Sequence, residues 1–402
     1  MVELNRCQTI TLNDAIAWWN HRTTNTFEIS GPPGSGKTFL VNHIINALHI
    51  DRSRIAPMAY TGSAAINMRT KGMTNAATIF SWLYDFVEYQ IKDINGNVIL
   101  DPVFNKPKVG MKFIPKISLP EIDLIIVDEA GMVPADMRQV IDSMNIPVIA
   151  MGDLDQLPPI FGNPGYLTDR ENVHCLTEIM RQAEGNTIIT FSQMAIRGKD
   201  IPIGSYGNVD VIWPEDLTDE MIANSRIVIC GRNATRDEFN NHVRHDMLHF
   251  YSEFPQYGER LVCRKNNWQL EANGINLTNG LLGSVVSRPD MTTFDTRTNT
   301  FKMDFKADLN DAVFEGVDVD YRYLNGTKQQ RDAIMQTRFS YGNKFEYGYA
   351  ITTHMAQGAE FDHGIYIEEF LHKEINNKLH YVGLTRFRHH CIYVKQHRRR
   401  YW

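Results

Sequence analysis

Eight residues near the start of the 402-residue chain have types and spacing that suit the binding of phosphate groups. They read Gly31-Pro32-Pro33-Gly34-Ser35-Gly36-Lys37-Thr38 and fit the pattern G-x-x-x-x-G-K-[ST]. In such a loop the glycines let backbone N–H groups turn toward phosphate oxygens. Lys37 would neutralise charge on the β- and γ-phosphates, and Thr38 would offer its hydroxyl to Mg²⁺. The segment predicts a site for ATP and Mg²⁺ that all eight residues help to form.

Two further segments carry groups suited to phosphoryl transfer. Residues 125–129 form an apolar run that ends in two carboxylates, and ligands bind at such strand ends in open α/β sheets. We expect Asp128 to hold Mg²⁺ through water and Glu129 to orient and deprotonate the attacking water. Residues 152–159, GDLDQLPP, follow another apolar run, and Gln156 can reach the γ-phosphate. Taken singly, a solvated strand end and an ordinary turn are the alternatives; together with the loop, these segments favour ATP hydrolysis.

Short apolar runs separated by helical patterns must position these groups. The run 26–30 leads into the loop, and apolar residues at helical spacing follow over 40–48. Further runs have the continuous apolar character of strands in a parallel sheet covered on both faces. They lie at 124–127, 148–151, 227–230, 364–367 and 391–394. The pattern predicts an α/β fold.

Two stretches depart from this rhythm. Residues 88–118 contain Asn95-Gly96 between apolar runs, which predicts a protruding β-hairpin because both turn positions tolerate positive φ. Residues 255–345 hold short strand-like pieces with Asn/Gly turns, which indicate a small β-barrel insertion.

Composition limits the class of protein. The chain has 41 Lys+Arg, 47 Asp+Glu and a formal net charge of −6, so any nucleic acid must be held by local contacts. The basic stretch 386–400 is either such a contact surface or a solvated tail. Five scattered cysteines favour neither a disulfide scaffold nor a zinc site. The N-terminus lacks an apolar signal core and no apolar run is long enough to span a membrane, so we expect a cytoplasmic protein without a membrane partner.

The ordered motifs resemble those of superfamily 1 helicases, and most closely those of the RecD/Dda-like (1B, 5′ to 3′) branch, of phage type. They are GPPGSGKT, Asp128-Glu129, GDLDQLPP, THMAQGAEFD at 353–362 and YVGLTR at 381–386. The resemblance covers residues 8–394. It implies two RecA-like P-loop domains with parallel sheets, domain 1A at 1–175 and domain 2A at 176–254 and 346–402. The hairpin at 88–118 would be the strand-separating pin (1B) within domain 1A, and 255–345 an SH3-like domain 2B.

The resemblance also assigns roles to residues outside the loop. Arg386 is implied to be the arginine finger, and Arg181 a second contact to the γ-phosphate; read alone, each arginine fits a surface ion pair. Gln8 is implied to read adenine, with Asn13 as its competitor in the alignment. Gln357, Gly358 and Glu360 are implied to bind ATP, with Glu360 on the ribose.

DNA contacts are implied at three segments. They include Tyr60, Thr61 and Gly62, then Thr78 and Phe80, then Thr353 and His354. Small hydroxyl-bearing residues suit contacts to phosphates that do not depend on sequence. Helix caps and internally bonded loop residues are the alternatives. Met355 stands where relatives commonly have lysine, so one phosphate contact is missing or supplied elsewhere.

These expectations describe an ATP-dependent DNA helicase that acts as a monomer on single-stranded DNA and on junctions with duplex DNA. Replication, recombination and repair are the processes implied, with single-strand-binding protein or replisome components as candidate partners. If the chain is phage-encoded, it would act in the host cytoplasm. A superfamily 1 RNA helicase and an ATP-driven nucleoprotein remodeller that does not unwind are the alternatives.

Overall fold

A computed structural model describes residues 3–159, 161–178, 185–337, 340–372 and 374–397. Internal contacts divide the chain into two compact units. The first unit consists of Met1–Tyr84, Pro115–Thr235 and Thr352–Trp402, and the second consists of Asp85–Ile114 and Arg236–Ile351.

The first sheet of the first unit has six parallel strands. Their order is Ala77–Thr78, Ile55–Ala59, Leu124–Asp128, Val148–Gly152, Thr26–Ser30 and His174–Cys175. Side chains alternate between two buried clusters, Ile126 and Ile149 in one and Ile125 and Val148 in the other. The accompanying helices are Arg6–His21, Lys37–Ala47, Gly62–Thr70, Ile79–Leu83 and Ala135–Ser143. A parallel sheet that is buried on both faces confirms the predicted α/β class.

A second six-stranded sheet lies mainly in the first unit, with its edge strand Ala350–Thr352 at the boundary between the units. Val228–Cys230, Phe361–Ile367, Phe387–Val394 and Val209–Ile212 run parallel, and Gly204–Ser205 runs antiparallel to Val209–Ile212. The strand order is Ala350–Thr352, Val228–Cys230, Phe361–Ile367, Phe387–Val394, Val209–Ile212 and Gly204–Ser205. Its helices are Thr187–Ile196, Asp219–Ala223, Asn233–Asn241 and Asn376–Leu384. The buried carboxylate of Glu369 accepts hydrogen bonds from the backbone N–H groups of Gly231 and Arg232, which fixes the chain where it leaves the strand Val228–Cys230.

The second unit contains a five-stranded antiparallel sheet. Its order is Val313–Asp320, Thr300–Ala307, Leu282–Val285, Arg260–Cys263 and Phe345–Tyr347. A smaller sheet pairs Asn267–Ala272 with Ile275–Leu277, and the helices Tyr321–Asn325 and Lys328–Gln336 follow. Buried phenylalanines such as Phe305 and Phe345 form part of the core. The region is β-rich as predicted, and its assignment as an SH3-like domain stays a prediction.

A two-stranded sheet, Tyr84–Gln90 with Val109–Pro115, occupies the region where a hairpin is predicted. The pairing begins before residue 88, and an antiparallel bridge joins Lys92 to Val98 further along. Gly96 has a φ of 84°, and the Asp93 carboxylate accepts the backbone N–H of Asn95, so the Asn-Gly step forms the expected turn. Ile94 in this turn is fully exposed.

Side-chain contacts link this two-stranded sheet to the rest of the second unit. The Tyr341 hydroxyl donates to Asp101 at 2.9 Å, and the Phe104 and Tyr341 rings meet edge to face. Phe86 packs against Trp268 with ring centroids 5.6 Å apart. Asp85–Ile114 and Arg236–Ile351 form one compact unit by internal contacts, and the assignment of the hairpin to domain 1A stays a prediction. Contacts between residues more than 150 positions apart have no signature in the local sequence.

In the part of the chain that the structure describes, no helix combines the length and the apolar character needed to cross a bilayer.

Candidate nucleotide-binding site and nucleic-acid surface

The segment Gly31–Thr38 lies between the strand Thr26–Ser30 and the helix Lys37–Ala47. Gly34 and Gly36 have φ angles of 80° and 78°, a region that favours glycine. A Cβ at Gly31 would stand 2.5 Å from the Ser35 Oγ, so this position also excludes a side chain. The loop thus brings the positive end of the helix and its unpaired N–H groups to one point, which suits a phosphate group.

A cavity of about 540 Å³ opens over this loop in the first unit. It collects predicted residues from five separate segments of the chain. Those that line it are Pro32, Pro33, Gly34, Gly36, Lys37, Thr38, Asp128, Glu129, Gln156, Gly358, Glu360 and Arg386. The Lys37 ammonium donates to the Gly31 carbonyl at 2.5 Å and to the Pro32 carbonyl at 3.3 Å, so it lies over the loop where a phosphate would sit.

The paired carboxylates stand at the carboxyl end of the strand Leu124–Asp128. The backbone N–H of Glu129 donates to the Asp128 carboxylate at 2.9 Å. Burial, and then the charge of Glu129, raise the pKa of Asp128 above its ordinary value. Glu129 has a φ of 50°, a left-handed conformation that costs about 1 to 2 kcal/mol for a residue with a side chain. The strained backbone holds two carboxylates close together in the cavity.

The oxygen atoms here fit a magnesium ion. Mg²⁺ prefers hard oxygen ligands and is usually bound through one or two carboxylates together with substrate phosphates. Thr38 and Asp128 line the same cavity, and a cation there would offset the cost of burying the carboxylate pair. Within the described ranges, no cluster of three or more His, Cys, Asp or Glu residues forms a metal site from protein ligands alone. Thr38 and Asp128 are therefore the residues that would hold the ion beside bound phosphates.

Arg386 enters the cavity as a buried cation, 3% exposed. Its Nε donates to the Val382 carbonyl at 3.1 Å, and its two terminal nitrogens donate to the Ala359 carbonyl and the Thr385 hydroxyl. These partners are neutral, and among the described residues no carboxylate forms an ion pair with it. The charge of Glu360 in the same cavity interacts with this guanidinium, and a bound phosphate would offset more of the cost of its burial. Its role as an arginine finger stays a prediction.

Glu360 and Gln156 complete the polar lining. Burial tends to raise the pKa of Glu360, but Lys71 and Arg388 outweigh it and lower the pKa below the ordinary value. Glu360 is thus an anion at neutral pH. Gln156 is 7% exposed, and its backbone N–H donates to the Asp153 carbonyl at 3.2 Å, which closes the turn that carries it.

Several predicted nucleotide contacts lie away from the cavity lining. Gln8 is fully buried; its amide nitrogen donates to the Ser35 carbonyl and its amide oxygen accepts the backbone N–H of Asn5. Both polar groups of Gln8 therefore support the loop and the helix start, rather than facing the cavity. Gly31 and Ser35 belong to the loop but do not line the cavity. Gln357 is also absent from the lining, and its side-chain amide donates to the Leu157 carbonyl. Arg181 lies outside the described residues.

Four residues that line the cavity were not among the site residues predicted from the sequence: Phe39, Asn42, Lys71 and Thr385. Phe39 and Asn42 follow Thr38 on the same helix, so the helical period was the signal that points to them. Lys71 follows the helix Gly62–Thr70, and nothing in the local sequence relates it to the loop. Only the fold brings this cation into the site.

The predicted DNA-contacting threonines act in the structure as local hydrogen-bond partners. Thr61 and Thr78 cap the helices Gly62–Thr70 and Ile79–Leu83 by accepting the backbone N–H groups of Ala64 and Ser81. Helix capping is thus confirmed for both. Thr353 has no exposed surface, and its hydroxyl donates to the Cys230 carbonyl at 3.1 Å. This hydroxyl is buried and bonded within the protein, and DNA binding by Thr353 stays a prediction.

Other predicted contacts are partly exposed. The rings of Phe80 and Tyr84 stack with centroids 5.1 Å apart. Tyr60 and Gly62 stand at the start of the capped helix, and burial lowers the pKa of His354, which keeps it neutral at pH 7. DNA binding by Tyr60, Gly62, Phe80 and His354 stays a prediction.

The basic C-terminal stretch is not a free cationic surface where the structure describes it. Arg388 pairs with Glu360 by hydrogen bonds from both its Nε and a terminal nitrogen. Lys395 is 7% exposed and pairs with Asp200 at 2.8 Å. Arg386 and Lys395 are buried, and Arg388 is half exposed but paired with Glu360. Residues 398–400 lie outside the described ranges.

Comparison with known proteins places this site in context. Residues 13–212 match the AAA domain family. An uncharacterized protein of Methanocaldococcus jannaschii is 23% identical over 429 residues, a match that covers 89% of this chain and 35% of that protein. The ATP-dependent DNA helicase Pif1 of a Psychrobacter species is 31% identical over 153 residues, covering 35% of this chain and 20% of the helicase. The chain thus spans about a third or less of the length of these relatives.

Solved structures resemble the chain over nearly its whole length. A complex of two Pif1 helicases with forked double-stranded DNA has a TM-score of 0.54, and Bacteroides Pif1 bound to single-stranded DNA has a TM-score of 0.53. Each is 19% identical, and each match covers 98% of this chain and 92% of the other. The fold is therefore the one seen in Pif1 helicases. Membership of superfamily 1, the RecD/Dda branch and a phage-type origin stay predictions.

Proposed function

We propose that this protein is an ATP-driven motor that moves along single-stranded DNA and separates duplex DNA. The observation that carries the proposal is the single cavity in which the loop Gly31–Thr38, the Asp128–Glu129 pair, Gln156 and Arg386 meet. Each segment alone has an ordinary structural explanation. Their convergence on one space of about 540 Å³ fits phosphoryl transfer to water.

Each of these residues has a separate role in the proposed hydrolysis of ATP. Lys37 and the N–H groups of the loop bind the β- and γ-phosphates, and Glu129 accepts a proton from the attacking water while Gln156 orients it. Arg386 stabilises the charge that spreads over the transferred phosphoryl group. A magnesium ion bound at Thr38 and Asp128 would supply further neutralisation of the phosphate charge.

Coupling to movement follows from where these residues lie. The loop and Glu129 belong to the lobe built on the first sheet, and Arg386 to the lobe built on the second. ATP that touches both lobes binds their closed arrangement more tightly than an open one, and only such a difference in affinity can drive a cycle of grip and release. The fold shared with Pif1 helicases supports DNA as the track.

The finer parts of the proposal rest on the sequence motifs. Movement in the 5′ to 3′ direction, and a role in replication, recombination or repair, come from the resemblance to RecD/Dda-like helicases. The strand-separating element is proposed to be the two-stranded sheet that carries Ile94, because a rigid apolar tip can stack on the last base pair.

The decisive experiment is steady-state ATP hydrolysis at fixed low salt without nucleic acid, with single-stranded DNA and with single-stranded RNA. Strong stimulation by DNA supports the proposal, and unwinding of 5′-tailed over 3′-tailed duplexes supports the direction. Preference for RNA would identify an RNA helicase instead. DNA-stimulated hydrolysis without strand separation would identify a nucleoprotein remodeller, and hydrolysis unaffected by either polymer would overturn the assignment of a nucleic-acid track.

A further inference from the structure

The turn that contains Gln156 is joined by packing and hydrogen bonds to the helix that precedes Arg386. Leu157 packs in a buried cluster with Leu379, Tyr381 and Val382 of the helix Asn376–Leu384. The Lys378 ammonium donates to the Leu154 carbonyl at 3.0 Å. At the centre of this contact, the Tyr381 hydroxyl donates to the Asp153 carboxylate.

Both partners of this hydrogen bond are withdrawn from water. Asp153 is 5% exposed and Tyr381 has no exposed surface. The second oxygen of the Asp153 carboxylate accepts the backbone N–H of Asp155 at 3.0 Å, so the carboxylate also shapes the turn. A buried carboxylate that loses a partner keeps its desolvation cost, so the turn would have to rearrange to recover a hydrogen bond.

Backbone hydrogen bonds continue from this pair toward the two residues proposed to act on the γ-phosphate. On one side, the Asp153 carbonyl accepts the backbone N–H of Gln156 at 3.2 Å. On the other side, the Tyr381 carbonyl accepts the backbone N–H of Thr385 at 3.0 Å, directly before Arg386. A continuous bonded path thus joins the residue proposed to orient water with the residue proposed to stabilise the phosphoryl charge.

We propose that Tyr381 is a positioning residue, whose hydrogen bond to Asp153 fixes Gln156 and Arg386 relative to each other around the γ-phosphate. The inference rests on the proposed ATPase function and goes further by naming what sets the geometry of its active site. Tyr381 and Asp153 are both absent from the cavity lining, so they act through other residues rather than on the nucleotide. Groups that act on a transition state need close placement, and a displacement of about 1 Å can cost about 100-fold in rate.

The test is Tyr381→Phe, which removes the hydroxyl and keeps the ring in its cluster with Leu157 and Val382. We expect kcat for ATP hydrolysis to fall about 10-fold to 100-fold while the KM for ATP stays within about twofold, because phosphate binding by the loop is untouched. Asp153→Asn should also lower kcat, since its single amide oxygen can replace only one of the two carboxylate oxygens that accept from the Tyr381 hydroxyl and the Asp155 N–H.

Tyr393→Phe is the matched control. Tyr393 is 1% exposed, and its hydroxyl donates to the Glu368 carboxylate at 2.8 Å in the same lobe, away from the Gln156 turn. This variant loses an equally buried tyrosine–carboxylate hydrogen bond, so it should lower thermal stability about as much as Tyr381→Phe and leave kcat unchanged. Melting temperatures of all variants are measured alongside the kinetics.

The outcomes separate this inference from the function on which it rests. If the wild-type protein hydrolyses ATP and Tyr381→Phe matches its kcat, the positioning role is wrong and the proposed function stands. Equal losses of kcat in Tyr381→Phe and Tyr393→Phe would also overturn it, because general loosening of the lobe would explain both. A wild-type protein without ATPase activity would overturn the proposed function and the inference together.

Discussion

At the scale of single residues, the nucleotide cavity concentrates groups that are costly to bury. The Asp128–Glu129 pair places two carboxylates together, and Arg386 is buried against neutral partners. Folding gains little from such an arrangement, since the cost of removing charges from water can exceed what neighbouring charges return. A phosphate chain with its cation would satisfy both groups, which is the physical reason to regard the cavity as functional.

Substitution of the two central residues should separate binding from chemistry. Lys37→Ala should reduce ATP turnover to background, because the charge on the β- and γ-phosphates is no longer neutralised. Glu129→Gln should still bind ATP and should lower kcat by about 100-fold to 10,000-fold, the range for loss of a general base. ATP binding and turnover of both variants are compared with those of Lys302→Ala, an exposed lysine of the second unit. Near-normal turnover in either variant would refute the assignment of the site.

Lys71 offers a test of a residue that the sequence did not single out. Its charge helps to lower the pKa of Glu360 and partly opposes the rise in the pKa of Asp128 in the same cavity. Lys71→Ala should raise the KM for ATP by up to about fivefold, since an exposed charge pair contributes up to about 1 kcal/mol. Lys71→Arg keeps the charge and should resemble the wild type. An unchanged KM in Lys71→Ala would mean that this lysine does not reach the nucleotide.

At the scale of elements, the two-stranded sheet Tyr84–Gln90 and Val109–Pro115 exposes an unusual amount of apolar surface. Tyr89 and Val109 are about half exposed, and Ile94 at the turn is fully exposed. Exposed apolar side chains on a short β-ribbon normally promote aggregation unless they have a partner. Contacts such as Asp101 with Tyr341 hold the ribbon in the second unit and leave its tip free to act as a wedge.

The tip is tested by Ile94→Asn. If Ile94 stacks on the base pair at the junction, unwinding of a tailed duplex should fall several-fold, while stimulation of the ATPase by single-stranded DNA is retained. Unpairing a base costs a few kcal/mol, and without the apolar tip the separated bases can pair again. Ile117→Asn is the control, since Ile117 is 95% exposed and lies outside the ribbon. Deletion of residues 92–98 should give the stronger form of the same effect. Unchanged unwinding in both ribbon variants would exclude the wedge.

At the scale of the whole molecule, charge limits how DNA can be held. The formal net charge is −6, and the described part of the basic C-terminal stretch is internally paired. Long-range attraction of a polyanion is therefore weak, and affinity must come from local contacts to phosphates and bases. Backbone groups at the starts of the capped helices Gly62–Thr70 and Ile79–Leu83 are candidates for such contacts.

The salt dependence of binding measures how many phosphates are contacted. If about three are contacted, affinity for single-stranded DNA should fall roughly 20-fold between about 50 and about 200 mM salt, from a slope of about −0.7 per contact. A peptide nucleic acid of the same sequence has no phosphates and should show no such slope. The measurement is fluorescence anisotropy at several salt concentrations. A flat response with DNA would show that phosphates contribute little to holding the strand.

Much of the fold class and of the cavity was predictable from the sequence, because those features have local signatures. The loop Gly31–Thr38 is read from glycine spacing, and Asp128 from an apolar strand that ends in a carboxylate. Continuous apolar runs indicate a sheet covered on both faces, which the two clusters on either side of the first sheet confirm. In each case one stretch of chain contains both the element and the functional group.

Tertiary structure alone decided what depends on contacts between distant segments. It placed Lys71 in the cavity, turned Gln8 toward Ser35, buried the hydroxyl of Thr353, and grouped the ribbon with Arg236–Ile351. It also joined Tyr381 to Asp153, which are 228 residues apart. Sequence spacing determines which residues share an element, whereas burial and side-chain pairing depend on which elements pack together. For this reason the sequence determined the chemistry available to the site, and the fold decided which groups are free to perform it.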